Sequence, residues 1–148
     1  MKARTKKSER GNALLEFALG FSVLWALFVG IFQFGYSFYV YNSILTSVSD
    51  AAALGAKMTY DTANPSQFTT ELQNMVVYAN TTAGTTPIVP GLSTSNVNVN
   101  LNLQGTIPTD ITVEIGSYTV DAIFTKITFS GKPRATAAYL GQVTCSTC

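Results

Sequence analysis

Glu16 is the residue whose position in this chain most needs a chemical explanation. It opens an apolar run that carries no further charge from Phe17 to Tyr41. A carboxylate costs about 2.5–3.5 kcal/mol at the centre of a membrane helix and less near an end, so keeping one there implies a use. Gly11 lies five residues before it, and ahead of Gly11 come the bases Lys2, Arg4, Lys6, Lys7 and Arg10 with a single acid, Glu9. The other reactive pair is Cys145-Ser-Thr-Cys148 at the far end. The chain has no histidine. That removes Ser-His-Asp and Cys-His catalysis, and two cysteines fall short of the roughly four ligands a structural zinc needs. The remaining acids, Asp50, Asp61, Glu71, Asp110, Glu114 and Asp121, show no spacing suited to paired-carboxylate chemistry. No glycine-rich phosphate loop follows a strand. The expectation is therefore a protein that is not an enzyme and takes no cofactor or metal. Cys145 and Cys148 are expected to close a small disulfide in an oxidising compartment, or to stay as free or intermolecular thiols. A redox role would want a thioredoxin-like βαβ setting, which is absent.

The apolar run must position Glu16. Ala13 to Tyr41 would span about 43 Å as a helix, against about 30 Å for a bilayer core. A secretory signal has an apolar region of only about 7–15 residues, so this run fits one poorly, although cleavage after Ser37 is conceivable from its small residues. Five of the nine Lys/Arg precede Gly11. The positive-inside bias then keeps the N-terminus in the cytoplasm and sends the chain after Tyr41 outward. Tyr36, Tyr39 and Tyr41 fall near the outer interface, where amphipathic aromatics prefer to sit. Trp25 falls mid-span, as a packing or lipid-facing residue.

Gly11, then Glu16 five positions on, then an unbroken apolar helix, resembles the class III signal of type IV pilins and pseudopilins. The string Gly11-Asn-Ala-Leu-Leu-Glu16-Phe17-Ala18-Leu19, continuing to Gly30-Ile31-Phe32-Gln33-Phe34-Gly35, is similar to TadE/TadG-type minor pseudopilins of the tight-adherence (Flp, type IVb) pilus. The resemblance covers residues 10–58. It implies cutting by a prepilin peptidase between Gly11 and Asn12, which makes Glu16 the fifth residue of the mature chain. It also implies that this carboxylate meets the terminal amine of a neighbouring subunit, with Phe17 beside it. Such a pair offsets the burial of both charges. The bland alternative is a carboxylate that reaches cytoplasmic water. Removal of residues 1–11 would leave four bases and seven acids, about −3. The basic cluster is then confined to the leader, where topology or anionic lipid explains it, and nucleic-acid binding is not expected.

Small residues recur every fourth position in the span at Ala18, Ser22, Ala26 and Gly30. A second row runs Ser43, Ser47, Ala51, Gly55. Such rows let membrane helices approach closely, so the expected partner is another pilin or pseudopilin or the inner-membrane assembly platform. Apolar spacing continues through Ile44, Leu45, Val48, Ala51, Ala52 and Gly55, which predicts one helix from Asn12 to Met58, ended by Asn64-Pro65. A second helix is predicted from Pro65 to Ala79, with Phe68, Leu72, Met75, Val76 and Ala79 on its core face and Glu71 favouring the helix dipole. Asn80 to Ser95 reads as loop. Asn96 to Leu103 alternates asparagine with aliphatic residues, a strand with a solvated face. A turn over Gln104–Asp110 follows, then Ile111, Val113 and Ile115, a bulge at Gly116, Tyr118 and Val120, and a last strand within Ile127–Leu140 interrupted at Gly131-Lys132-Pro133. Lys132 and Arg134 are expected to face water or protect an edge.

The fold expected is α+β and pilin-like: a long N-terminal transmembrane and amphipathic helix, a short second helix, and a small three- to four-stranded antiparallel sheet. Residues 1–11 would be a basic leader, 12–41 the transmembrane part, 42–60 the periplasmic continuation, and 61–148 a periplasmic head. The expected location is the bacterial inner membrane, single-pass, with the extracellular pilus as a second expected site. The function expected is that of a minor pseudopilin in pilus assembly. An uncleaved, membrane-anchored periplasmic binding module is the alternative.

Overall fold

The computed structural model describes residues 7–121 and 126–144, with side chains of the first helix described from Gly11. In chain order the elements are α1 (Lys7–Gly55), β1 (Tyr60–Asp61), α2 (Pro65–Tyr78), a 3-10 turn (Thr94–Asn96), β2 (Val97–Gln104), β3 (Ile107–Ile115), β4 (Ser117–Asp121), β5 (Lys126–Ser130), β6 (Arg134–Ala138) and β7 (Val143–Thr144). The fold is α+β. Two compact units divide the chain, Met1–Tyr36 and Ser37–Cys148.

In the first unit the described residues form a single helical stretch of α1. The Ser22 hydroxyl is satisfied locally, donating to the Leu19 carbonyl at 2.8 Å, which removes the need for a partner outside the helix.

The second unit has one core. Val40, Ile44, Val48, Ala51 and Ala52 on one face of α1, and Ala56 just past its end, are buried. They meet Phe68, Leu72, Val76 and Val77 of the second helix, and Ile111, Val113 and Ile115 of β3. Burying such side chains is worth about 1.5–3 kcal/mol each. Residues at i, i+4, i+8 lie on one stripe of a helix, which is why this spacing survives as the core face.

Several boundaries differ from expectation. α1 stops at Gly55 instead of Met58. Gly55 is closely packed at this end: a Cβ there would lie 3.0 Å from Leu72 Cδ1 and 3.2 Å from Ile111 Cδ1. The Leu54 carbonyl then takes the N–H groups of both Lys57 and Met58 as the chain turns. The small-residue row Ser43, Ser47, Ala51, Gly55 accordingly ends inside this unit's own core, with Ala51 and Gly55 buried. Its C-terminal half is not a surface for another protein.

α2 begins at Pro65 as expected and ends one residue early. Ala79 takes the left-handed conformation (φ 54°) and caps the helix by donating to the Met75 carbonyl, so it is exposed and Val77 is buried in its stead. Glu71 lies beyond the first turn, where the dipole no longer reaches it.

β2, β3 and β6 form an antiparallel sheet in that order, and β4 and β5 form a separate antiparallel pair. The β2–β3 connection is tighter than the predicted Gln104–Asp110 turn, with Gln104 already opposite Ile107 and Gly105 at φ 67°. The slack is taken up by a register shift at Asn102/Leu103. Gly116 is where the chain leaves one sheet for the other instead of bulging within a strand. The phase change still puts Ile115, Tyr118 and Val120 all in the core. Lys132 and Arg134 are exposed at the β6 edge, as expected.

A parallel pair, β1 with β7, was not foreseen. Tyr139 ties it down. Its hydroxyl lies 2.8 Å from the carbonyls of both Met58 and Gln142 and accepts the Tyr60 N–H at 3.0 Å. Burial raises its phenol above the usual tyrosine range, so it remains a donor. Tyr139→Phe is expected to lower stability by about 1–2 kcal/mol, because the half-buried Met58 carbonyl loses its donor, whereas the Tyr60 N–H keeps the Gln142 carbonyl at 2.8 Å. Urea unfolding of the detergent-solubilised chain, followed by near-UV circular dichroism, measures this loss.

Candidate functional site

The residues singled out in the sequence lie on α1. Gly11, Asn12, Glu16, Phe17, Ala18, Ser22 and Ala26 are exposed, and Gly30 is half-exposed. Asn12 and Glu16 are four residues apart in continuous helix, hence one turn apart on the same face. Helical side chains lean toward the N-terminus, so the Glu16 carboxylate leans toward Asn12. A positive group at Asn12 would be its nearest possible counter-charge along the helix. In this geometry a backbone cut before Asn12 would create such a group, as a free amine.

Beyond Asn12, the surface around and after the carboxylate is apolar. Leu14, Leu15, Phe17, Leu19, Phe21 and Trp25 are each more than half exposed. A continuous surface of that kind is foreign to soluble monomers. The stretch Gly11–Gly55 holds a window of mean hydropathy 2.1, none of it buried, and is long and apolar enough to cross a membrane.

Phe17 and Trp25, weighed separately in the sequence, belong to one row of aromatics. Phe17, Phe21, Trp25 and Phe28 stack in succession with ring centroids 6.1, 6.2 and 6.3 Å apart. These distances lie within the favourable range for offset aromatic pairs. The i, i+4, i+8, i+11 spacing was the available signal. Beside this row runs the first small-residue row. A Cβ added at Gly30 would meet nothing within 4 Å, so its backbone stands open to close approach by another helix.

In the second unit a pocket of about 250 Å³ is lined by Thr59, Asp61, Asn64, Gln67, Phe68 and Glu71. Its carboxylates are engaged by neighbours. Asp61 accepts from the Ala63 N–H at 2.9 Å and from Asn64 Nδ2 at 3.2 Å, and Glu71 accepts from Gln67 Nε2 at 2.9 Å. Among the described residues no group of three or more His, Cys, Asp or Glu is placed to hold a metal ion. Cys145 and Cys148, and residues 1–6 of the basic cluster, lie outside the described residues.

The sequence features and the helix geometry converge on the same N-terminal stretch, and so does comparison with known proteins. A family described as TadE-like protein matches residues 11–53. Its first matched residue is Gly11 and its last lies two residues before the end of α1. No curated protein and no solved structure matches the chain. The match over the long helix, residues 11–53, supports a TadE-like protein of the tight-adherence pilus system.

Proposed function

We propose that the chain is a minor pseudopilin that serves assembly of a tight-adherence pilus, and that a prepilin peptidase cuts it between Gly11 and Asn12. It is held in the inner membrane by α1, with the basic leader in the cytoplasm and the head in the periplasm, until it joins or primes the filament. Its role is structural and not catalytic. Its partners are the peptidase, the lipid bilayer, other pilins or pseudopilins, and the assembly platform, and it binds no nucleic acid.

The observation that carries this reading is the TadE-like match beginning at Gly11, at the head of an exposed apolar helix. Orientation rests on the five bases ahead of Gly11, through the positive-inside bias. The charge of Glu16 rests on pairing with an amine, because an unpaired ion in lipid is costly.

N-terminal sequencing of the membrane-extracted protein, from cells that contain the peptidase, is the test. The expected terminus is Asn12 in the wild type and Met1 in Gly11→Ala, with a matching difference in mass. Met1 in the wild type would overturn the reading and favour an uncleaved anchored binding module.

A further inference from the structure

The three-stranded sheet of the second unit leaves β2 as an edge strand, paired only with β3 among the described residues. Two hydrogen bonds establish which of its backbone groups face outward. The Asn96 carbonyl accepts from Gly116 N–H at 2.8 Å, just beyond β3, and the Asn102 carbonyl accepts from Thr109 Oγ1 on β3 at 3.1 Å. Even-numbered residues therefore turn their backbone groups toward β3. Odd-numbered residues turn theirs away, because N–H and C=O alternate sides along an antiparallel strand. The Val97 carbonyl confirms this from the open side, where it accepts from Gln73 Nε2 of α2 at 3.0 Å. Beyond that capped end, Val99 and Leu101 present their N–H and C=O groups to the open edge, with no partner among the described residues.

Edges of this kind are commonly protected by a charge or a proline. The opposite edge has such protection, with exposed Lys132 and Arg134 around Pro133. β2 has neither: Val97–Gln104 reads VNVNLNLQ and is uncharged throughout. Its side chains are also symmetric about Asn100. Asn98 and Asn102 flank it, then Val99 and Leu101, then Val97 and Leu103, then Asn96 and Gln104. Reversal of the strand about Asn100 thus sets every carboxamide against a carboxamide and every aliphatic residue against an aliphatic one. A carboxamide both donates and accepts, so it complements its own copy.

We propose that the open edge of β2 pairs antiparallel with β2 of a second copy of this chain, on a two-fold axis through Asn100. Val99 of each copy lies opposite Leu101 of the second copy, and each such pair exchanges two N–H···O bonds. Asn100 faces Asn100 of the second copy as the close, non-hydrogen-bonded pair. Asn98 faces Asn102 on either side. Leu103, half exposed in the single chain, comes to lie against Val97 of the second copy. The edge carries no charge to repel its twin, and the axis position follows from the two residues whose backbone groups are open. An isologous contact of this kind closes at two copies. The proposal does not depend on the pilus reading.

Disulfide trapping in membranes tests it, with the full chain carrying Cys145→Ser and Cys148→Ser. Opposed residues of a non-hydrogen-bonded pair have Cα atoms about 4.5 Å apart, within disulfide range. Asn100→Cys alone is expected to give a covalent dimer under a mild oxidant. Asn98→Cys alone is expected to give at least about tenfold less, since its copies would sit roughly 13 Å apart, beyond the ~7 Å limit. Co-expressed Asn98→Cys and Asn102→Cys chains are expected to link to each other. Adding the exposed substitution Asn100→Lys to both should return that mixed dimer to the level of Asn98→Cys alone, because like charges would face each other on the axis. A strong self-link from Asn98→Cys would mean parallel in-register stacking instead. Absence of a link from Asn100→Cys would mean that the edge stays open or takes a different protein. Either result overturns the proposal.

Discussion

Glu16→Ala is expected to be cut after Gly11 as the wild type is, to accumulate normally in the membrane, and to be nearly absent from sheared pili. The substitution removes one member of the charge pair proposed for the assembled state and leaves the amine of Asn12 unpartnered in lipid. Loss of one partner from a buried ion pair costs about 3–5 kcal/mol. At 1.4 kcal/mol per decade that is at least about a hundredfold loss of incorporation. The measurement is quantitative blotting of membrane and pilus fractions, with the N-terminus sequenced in each. Glu16→Gln separates charge from shape, and it should fail as Glu16→Ala does. Unchanged incorporation of either variant would show that the carboxylate simply reaches water.

The second large effect belongs to the head. Ile111 lies fully buried on the central strand β3, opposite Leu101 on one side and Ala137 on the other, and its Cδ1 packs against Gly55 where α1 ends. Ile111→Ala would open a cavity at the point where helix and sheet meet. Such a truncation costs about 2–5 kcal/mol, against a total stability of about 5–15 kcal/mol for a typical domain. A fall in melting temperature of about 10–20 °C is expected. Thermal melting of the full chain in detergent, read by intrinsic fluorescence, measures it. Leu140→Ala is the control: the side chain is 81% exposed, so less than about 0.5 kcal/mol should be lost. Equal effects from the two substitutions would refute the placement of the core.

Much of this was legible before any coordinates. The run after Glu16 could only be helix or buried strand, and its length excluded a strand. Ile44, Val48, Ala51 and Ala52 announced the core face of α1 by their spacing, and Asn98 and Asn100 announced the wet face of β2 by alternation. The helix end was misread because Pro65 is a strong local signal. Gly55, the last residue of α1, sits against Leu72 and Ile111, which are remote in sequence. The β1–β7 pair was invisible for the same reason, since Tyr60 meets Val143 across most of the head. Two-residue strands have no periodicity to detect.

Sequence alone determined the local chemistry: an acid placed after a glycine at the mouth of an uncharged helix, a basic flank ahead of it, and a strand symmetric in its side chains. These depend on neighbours within a turn or two, and short-range rules read them. Only the tertiary structure decided where backbone groups were spent. It turned the C-terminal half of the second small-residue row into core, gave Tyr139 three backbone partners around the β1–β7 pair, and left the backbone groups of Val99 and Leu101 facing outward. Pairing and packing of that kind join residues far apart along the chain, and no local pattern encodes which of two edges remains open.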